Sequence, residues 1–174
     1  MKNTIVKYGS YGLLVALILV LLVLWLGRGM SYSIQEVFGY VTMFASLSFI
    51  YFGIRHYRDQ VNDGTVSFGK GLLIGMLISA FVGIGIGIAD YIYTTMINPD
   101  FAAEYLETTL KTMEAELSVE EFKIQKETLT TQMENYGGSG FMAFIMFITV
   151  IMIGFIVSLI SSLILQRKTN NHAV

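Results

Sequence analysis

The sequence predicts an all-α fold, an integral membrane four-helix bundle with a helical hairpin outside the membrane between the third and fourth spans. Its composition and charge distribution are the two observations that predict it. Apolar residues make up 54% of the 174 residues and charged residues only 14%, whereas a typical soluble domain has about 45–50% and about 25%. The charges also cluster, so that long uncharged stretches separate them. This composition excludes disorder and coiled coils, and a net charge of −2 leaves no basic surface for nucleic acid.

Four uncharged stretches, each of 18 to 32 residues, are the candidate spans. A hydrocarbon core of about 30 Å needs about 20 apolar residues in a helix. A helix satisfies its backbone hydrogen bonds within the segment, which lipid requires. We therefore predict a single membrane domain, residues 1–174, with spans at about 8–27, 36–54, 70–97 and 139–166.

The lysines and arginines predict the orientation of these spans. Seven of the 11 basic residues lie in the N-terminal segment, in the loop between the second and third spans, or in the C-terminal segment with Arg167 and Lys168. These three segments lie on one side of a four-span chain, and Arg28 and three lysines lie on the other. Because basic loops stay in the cytoplasm, we expect a protein of the cell inner membrane with both termini cytoplasmic.

Residues 98–136 are too polar to span, since they carry nine carboxylates and three lysines. Apolar side chains recur there every three or four positions, which predicts helices. We expect Asn98 and Pro99 to begin the first helix, and Ser118 and Glu121 to form the capping box of the second. The hairpin either binds a partner or collects cations, or it is an amphipathic pair with solvated acids, which we favour. Whether it lies on the membrane or projects from it stays open.

Small residues form a stripe at strict four-residue spacing in the third span. The stripe consists of Gly71, Gly75, Ser79, Gly83 and Gly87. Small residues let helix backbones approach closely in lipid, which is a main source of helix association there. The partner is either the fourth span, where Gly154, Ser158 and Ser162 repeat the spacing, or a second copy of the protein; we favour the fourth span.

Two groups of polar residues could carry chemistry. Asp90 ends the third uncharged stretch, and as an intramembrane acid it would be a candidate ion relay; its position near the outward interface favours a hydrated acid instead. At the end of the second span, Arg55, His56 and Arg58, with Lys70, could contact lipid headgroups or a ligand. The plainer interpretation is that these basic residues anchor the helix end at the interface.

No catalytic, cofactor-binding or metal-binding motif is recognisable, and the chain has no cysteine. We therefore expect a non-enzymatic protein without a cofactor, structural or accessory in a membrane assembly. Its expected partners are membrane lipid and either a second copy or another membrane protein, and not nucleic acid. The alternative is a small transporter or channel with a polar path near Asp90, and a lipid-modifying enzyme ranks below both.

Several motifs in order resemble a family of small bacterial membrane proteins known as domain of unknown function 4199. The motifs are Phe52-Gly53-Ile54-Arg55-x-Tyr57-Arg58-Asp59, Gly64-x-x-Ser67-Phe68-Gly69-Lys70-Gly71 with Gly75, Ile97-Asn98-Pro99-Asp100-Phe101, and Ser158-Leu159-Ile160 ahead of Arg167-Lys168. The resemblance covers nearly the whole chain. It implies a four-span inner-membrane protein of Gram-negative bacteria with no assigned activity. It also directs attention to the turn at 55–75, which holds the densest motif.

Overall fold

The computed structural model describes residues 1–27 and 29–167, and only the backbone of Tyr32. Arg28 and Lys168, which entered the orientation argument, lie outside the described residues. The described chain is all-helical, as predicted, and its helices are α1 Lys2–Leu26, α2 Tyr32–His56, α3 Phe68–Ile92, α4 Phe101–Glu116, α5 Val119–Tyr136 and α6 Ser139–Leu165. Two π-helical turns, Tyr57–Val61 and Tyr93–Ile97, lengthen α2 and α3.

Four helical segments of the described chain are long and apolar enough to cross a membrane. They are Lys2–Leu26, Ser33–Val61, Phe68–Ile97 and Ser139–Leu165. The first helix begins earlier than the predicted span at residue 8, because the polar segment before the uncharged stretch continues the same helix. The π-turns likewise carry the second and third segments beyond their apolar residues into polar sequence.

Helix α3 lies at the centre of the bundle. It packs most extensively along α6, then along α1, and less along α2, while α1 and α6 lie on opposite sides of the α2–α3 pair. Ile74, Ile78 and Val82 on α3 are fully buried, as are Leu47 and Ile50 on α2. The core therefore forms where the other three membrane-length helices, α1, α2 and α6, meet α3.

The outward faces of the bundle are apolar. On α1, Leu14, Ile18 and Leu22 form an exposed stripe at four-residue spacing, and α6 exposes Met152 and Ile156 among others. A soluble monomer rarely exposes such continuous apolar surface, whereas hydrocarbon chains solvate it without cost. Such exposed apolar surface is expected of helices that are long and apolar enough to cross a membrane.

The predicted small-residue stripe of α3 faces α6. Along the two antiparallel helices, residue numbers on α3 rise by four from pair to pair, while those on α6 fall by four, except for one step of seven between Gly154 and Phe147. The close pairs are Gly71 with Ser162, Gly75 with Ser158, and Ser79 with Gly154, followed by Gly83 with Phe147 and Gly87 with Ala143. A Cβ atom added at Gly71 would lie 2.8 Å from Ser162 Oγ, and one added at Gly83 would lie 2.8 Å from Phe147 Cδ2. The small side chains therefore set the distance between α3 and α6.

A second close approach, which the stripe does not include, joins α3 to α1. A Cβ atom added at Gly85 would lie 2.6 Å from the carbonyl oxygen of Leu13 and 3.1 Å from its Cα atom. Backbone atoms cannot move aside as a flexible side chain can. Helix α3 consequently packs against α6 through the small-residue stripe and against α1 through Gly85.

Between the third and fourth membrane-length segments, α4 and α5 pack on each other, and neither contains a buried residue. The predicted capping box is confirmed, because Ser118 Oγ accepts from Glu121 N at 3.4 Å and Ser118 N donates to Glu121 Oε2 at 3.1 Å. Hydrogen bonds from Ser118 lower the pKa of the Glu121 carboxyl. The predicted start of α4 is wrong, since its N-cap is Asp100. Asn98 instead donates through Nδ2 to Glu104 Oε2 at 2.8 Å.

We expect Gly85→Ala to destabilise the bundle by about 1–3 kcal/mol, the usual cost of overpacking, because the new methyl group meets the α1 backbone. The matched control is Gly39→Ala on α2, where an added Cβ has nothing within 4 Å. Alanine there is neutral or gains up to about 1 kcal/mol of helix propensity. Reversible unfolding of both variants in mixed detergent micelles measures the difference, and equal stabilities would contradict the close contact.

Candidate functional site

The turn between α2 and α3 is held by its own hydrogen bonds. Asn62 Nδ2 donates to the carbonyl oxygen of Thr65 at 2.7 Å, and Thr65 Oγ1 donates to the carbonyl oxygen of Asn62 at 3.0 Å. Gly64 has φ +74°, a left-handed conformation that glycine adopts without strain. Ser67 then caps α3 by accepting from the backbone N–H of Lys70 at 3.4 Å. The turn is thus a defined structure.

Arg58 joins this turn to the end of α6. Its Nε and Nη2 atoms donate to the two carboxylate oxygens of Asp59 at 2.6 and 3.0 Å, and Nη1 donates to the carbonyl oxygen of Leu165 at 3.4 Å. Only 9% of the residue is exposed. A bidentate arginine–carboxylate pair is among the stronger charged hydrogen bonds. These contacts favour a structural role for Arg58 over contact with lipid headgroups.

An isolated antiparallel β-bridge also joins the α2–α3 turn to the end of α6. Val66 N donates to the Arg167 carbonyl at 3.1 Å, and Arg167 N donates to the Val66 carbonyl at 2.9 Å. Val66 is 1% exposed, so these hydrogen bonds lie beside buried side chains. The α2–α3 turn and the end of α6 therefore form one unit at this end of the bundle.

Arg55 and Lys70, also predicted as headgroup or ligand contacts, lie at the same end and are exposed. The Arg55 side chain is 57% exposed, and its Nε lies 3.6 Å from Asp59 Oδ2. Lys70 lies in the first turn of α3. Exposure leaves both side chains accessible to solvent or headgroups, but the structure does not gather them into one pocket.

His56 lies apart from the other predicted contacts and packs on α1. Its ring centroid is 5.3 Å from that of Tyr8, and its Nδ1 atom is enclosed without a hydrogen-bond partner among the described residues. His56 lines a cleft of about 350 Å³ together with Lys2 and Lys7. Sequence spacing does not connect these lysines with His56, although the positive-inside orientation places the start of the first span beside the end of the second.

The opposite end of the bundle holds Asp90 and a second cleft. One Asp90 oxygen, Oδ2, is enclosed without a partner among the described residues, so the carboxyl is not simply a hydrated interfacial group. The second cleft, of about 500 Å³, is lined by Gln35, Tyr93, Asn98 and Glu104 among others. Asp90 lies one turn before Tyr93 and does not line it. No group of three or more His, Asp or Glu side chains in the described chain could hold a metal ion.

Comparison with known proteins identifies one family. The family model described as "Protein of unknown function (DUF4199)" matches residues 7–167, which confirms the resemblance expected from the motifs. No curated protein and no solved structure matches the chain. The match spans the four membrane-length helices and both helices between the last two.

We expect Arg58→Met to loosen the attachment of the α6 end, because it removes the hydrogen bonds to Asp59 and Leu165 but keeps the length of the side-chain stem. Amide hydrogen exchange at Val66 and Arg167 should accelerate about tenfold or more. The matched control is Arg55→Met, which removes an exposed pair of the kind that contributes little. Unchanged exchange in Arg58→Met, or equal acceleration in both variants, would contradict this role.

Proposed function

We propose a function for this chain, which belongs to the family of proteins of unknown function described as DUF4199. It is a non-enzymatic integral protein of the inner membrane, with a structural or accessory role in a larger membrane assembly. Membrane lipid surrounds its four spans. A second copy or another membrane protein is the partner that completes the assembly.

The hydroxyl groups of the membrane-length helices carry this proposal. Six of those that could have lined a path for ions, Ser48 and Thr149 among them at exposed positions, donate to carbonyl oxygens of their own helices three or four residues earlier, whereas Ser162 Oγ has no partner among the described residues. The pairs are Thr42 with Gly39, Ser46 with Thr42, Ser48 with Ala45, Ser79 with Met76, Thr149 with Ile145, and Ser158 with Gly154. Ser79 and Ser158 also lie at the closest contacts between α3 and α6. These hydroxyls support packing, as expected of a scaffold, better than conduction.

The proposed orientation places both termini and the α2–α3 turn in the cytoplasm, and the acidic helices α4 and α5 outside. It is supported by contacts that gather the basic segments at one end of the bundle. Tyr8 near the start of α1 packs against His56 at the end of α2, and Val66 in the turn pairs with Arg167 after α6. Basic segments on one side and an acidic pair on the other follow the positive-inside rule.

Single cysteines test the orientation and the partner together, because the natural chain has none. Glu116→Cys lies at the exposed end of α4, and its matched variant Gln60→Cys lies in the exposed π-turn after α2. Spheroplasts are treated with a membrane-impermeant maleimide that carries a photoreactive group. We expect labelling of Glu116→Cys in intact spheroplasts and of Gln60→Cys only after lysis, since only the first faces outward.

Illumination of the labelled Glu116→Cys variant should then give a reproducible adduct with one other membrane protein or with a second copy. Labelling of Gln60→Cys from outside would contradict the orientation. Outward labelling without any protein adduct would contradict the accessory role and leave the orientation supported.

A second candidate function is proton transport, and the enclosed oxygen of Asp90 favours it. A carboxyl in a membrane-length helix with an unpartnered, enclosed oxygen is a site where a proton can bind and leave. Asp90 does not line the cleft at that end, however, and the core hydroxyl groups of Ser79 and Ser158 donate within their own helices. The scaffold proposal therefore ranks first.

Proteoliposomes containing a pH-sensitive dye separate the two candidates. We expect the wild-type protein to conduct no more protons than protein-free vesicles under an imposed potential, because Asp90 does not line the second cleft among the described residues. A flux that Asp90→Asn abolishes would contradict the scaffold proposal and support transport. The matched control is Asp63→Asn, which changes an exposed acid in the α2–α3 turn and should leave any such flux intact.

A further inference from the structure

We propose that the cleft between the start of α1 and the end of α2, lined by Lys2, Lys7 and His56, binds a phosphate-bearing anion. This basic cleft encloses about 350 Å³. Neither helix forms it alone, because the two lysines come from α1 and the imidazole from α2. It deepens the proposed function by naming a ligand class for the cytoplasmic end of the bundle.

The charge of the lining favours an anion. Lys2 and Lys7 bring two ammonium groups, and the remaining lining residues, Met1, Asn3, Thr4 and Val61, carry no carboxylate. The Lys7 Nζ atom lies 5.7 Å from the centroid of the Tyr8 ring, and the His56 ring lies 5.3 Å from the same ring. The ammonium group of Lys7 and the imidazole of His56 therefore both lie near the Tyr8 ring.

The imidazole of His56 contributes a further hydrogen-bond donor to the cleft. Its Nδ1 atom is enclosed and has no partner among the described residues. The imidazole lines the cleft, and a nitrogen-bound hydrogen of such a ring is a donor that an anion can accept. Two ammonium groups and one imidazole N–H form a set of donors suited to phosphate oxygens.

The neighbouring basic residues do not compete for this role. Arg58 is engaged with Asp59 and with the Leu165 carbonyl. Arg55 lies beside Asp59, and Lys70 stands exposed on α3; neither lines the cleft. Lys70 is therefore a matched control, with the same charge at the same end of the bundle but outside the cleft.

A phosphate group can come from a lipid headgroup or from solution, and the two sources share the chemistry recognised here. In the proposed orientation, the cleft lies at the leaflet whose anionic lipids attract basic residues. The test uses maltoside micelles, which contain no phosphate, so that its result does not depend on the orientation or on the accessory role. Inorganic phosphate and phosphatidylglycerol are added separately to the purified full chain.

The readout is the ¹⁵N signal of the His56 side chain, observed in a His172→Gln background in which it is the one remaining histidine. We expect this signal to shift and saturate with phosphatidylglycerol, with inorganic phosphate, or with both, and the arm that responds identifies the source. The double variant Lys2→Gln/Lys7→Gln should weaken binding about tenfold or more, the effect of losing charged hydrogen bonds. Lys70→Gln should bind like the wild type.

Retention of phosphatidylglycerol in native mass spectrometry provides a second measurement, in which His56→Phe keeps a ring against Tyr8 but removes both nitrogens. Loss of the lipid in this variant and its retention in Lys70→Gln would support the site. The proposal is overturned if neither probe moves the His56 signal, or if Lys70→Gln weakens binding as much as the double lysine variant. Because both lysines are exposed, their substitution tests the site even where His56→Phe fails to fold.

Discussion

The bundle depends on the close approach of α3 to its neighbours. In lipid, burying apolar side chains between helices gains little, so van der Waals packing at short range must hold the helices together. Glycines and serines at four-residue spacing provide that packing against α6, and Gly85 provides it against the α1 backbone. Because α3 carries both contacts, it lies at the centre, and the positions of the other membrane-length helices follow from it.

This packing also explains the behaviour of polar residues in the core. A serine or threonine hydroxyl is small enough for a close helix contact and can donate to a carbonyl of its own helix, as Ser158 does to Gly154 at 2.6 Å. Such a hydroxyl needs no water and no partner helix. Ser162 and Asp90 differ, because each has an enclosed oxygen without a partner among the described residues. The Ser162 hydroxyl is explained by its close contact with Gly71 on α3.

The two ends of the bundle differ in the contacts that join their chain segments. At the end with the α2–α3 turn, Arg58 and the Val66–Arg167 bridge join the chain segments, and His56 packs against Tyr8. At the other end, α4 and α5 pack mainly on each other.

The sequence by itself determined the helical class, the four membrane-length segments, the capping box at Ser118 and the family. Each of these depends on local composition or spacing, and such patterns act within one helix. Only the tertiary structure decided that the stripe faces α6, that Gly85 meets α1, that Arg58 donates to the Leu165 carbonyl, and that His56 shares a cleft with two lysines. These features join residues far apart in the chain, and helix spacing says which residues share a face but not which neighbour that face meets.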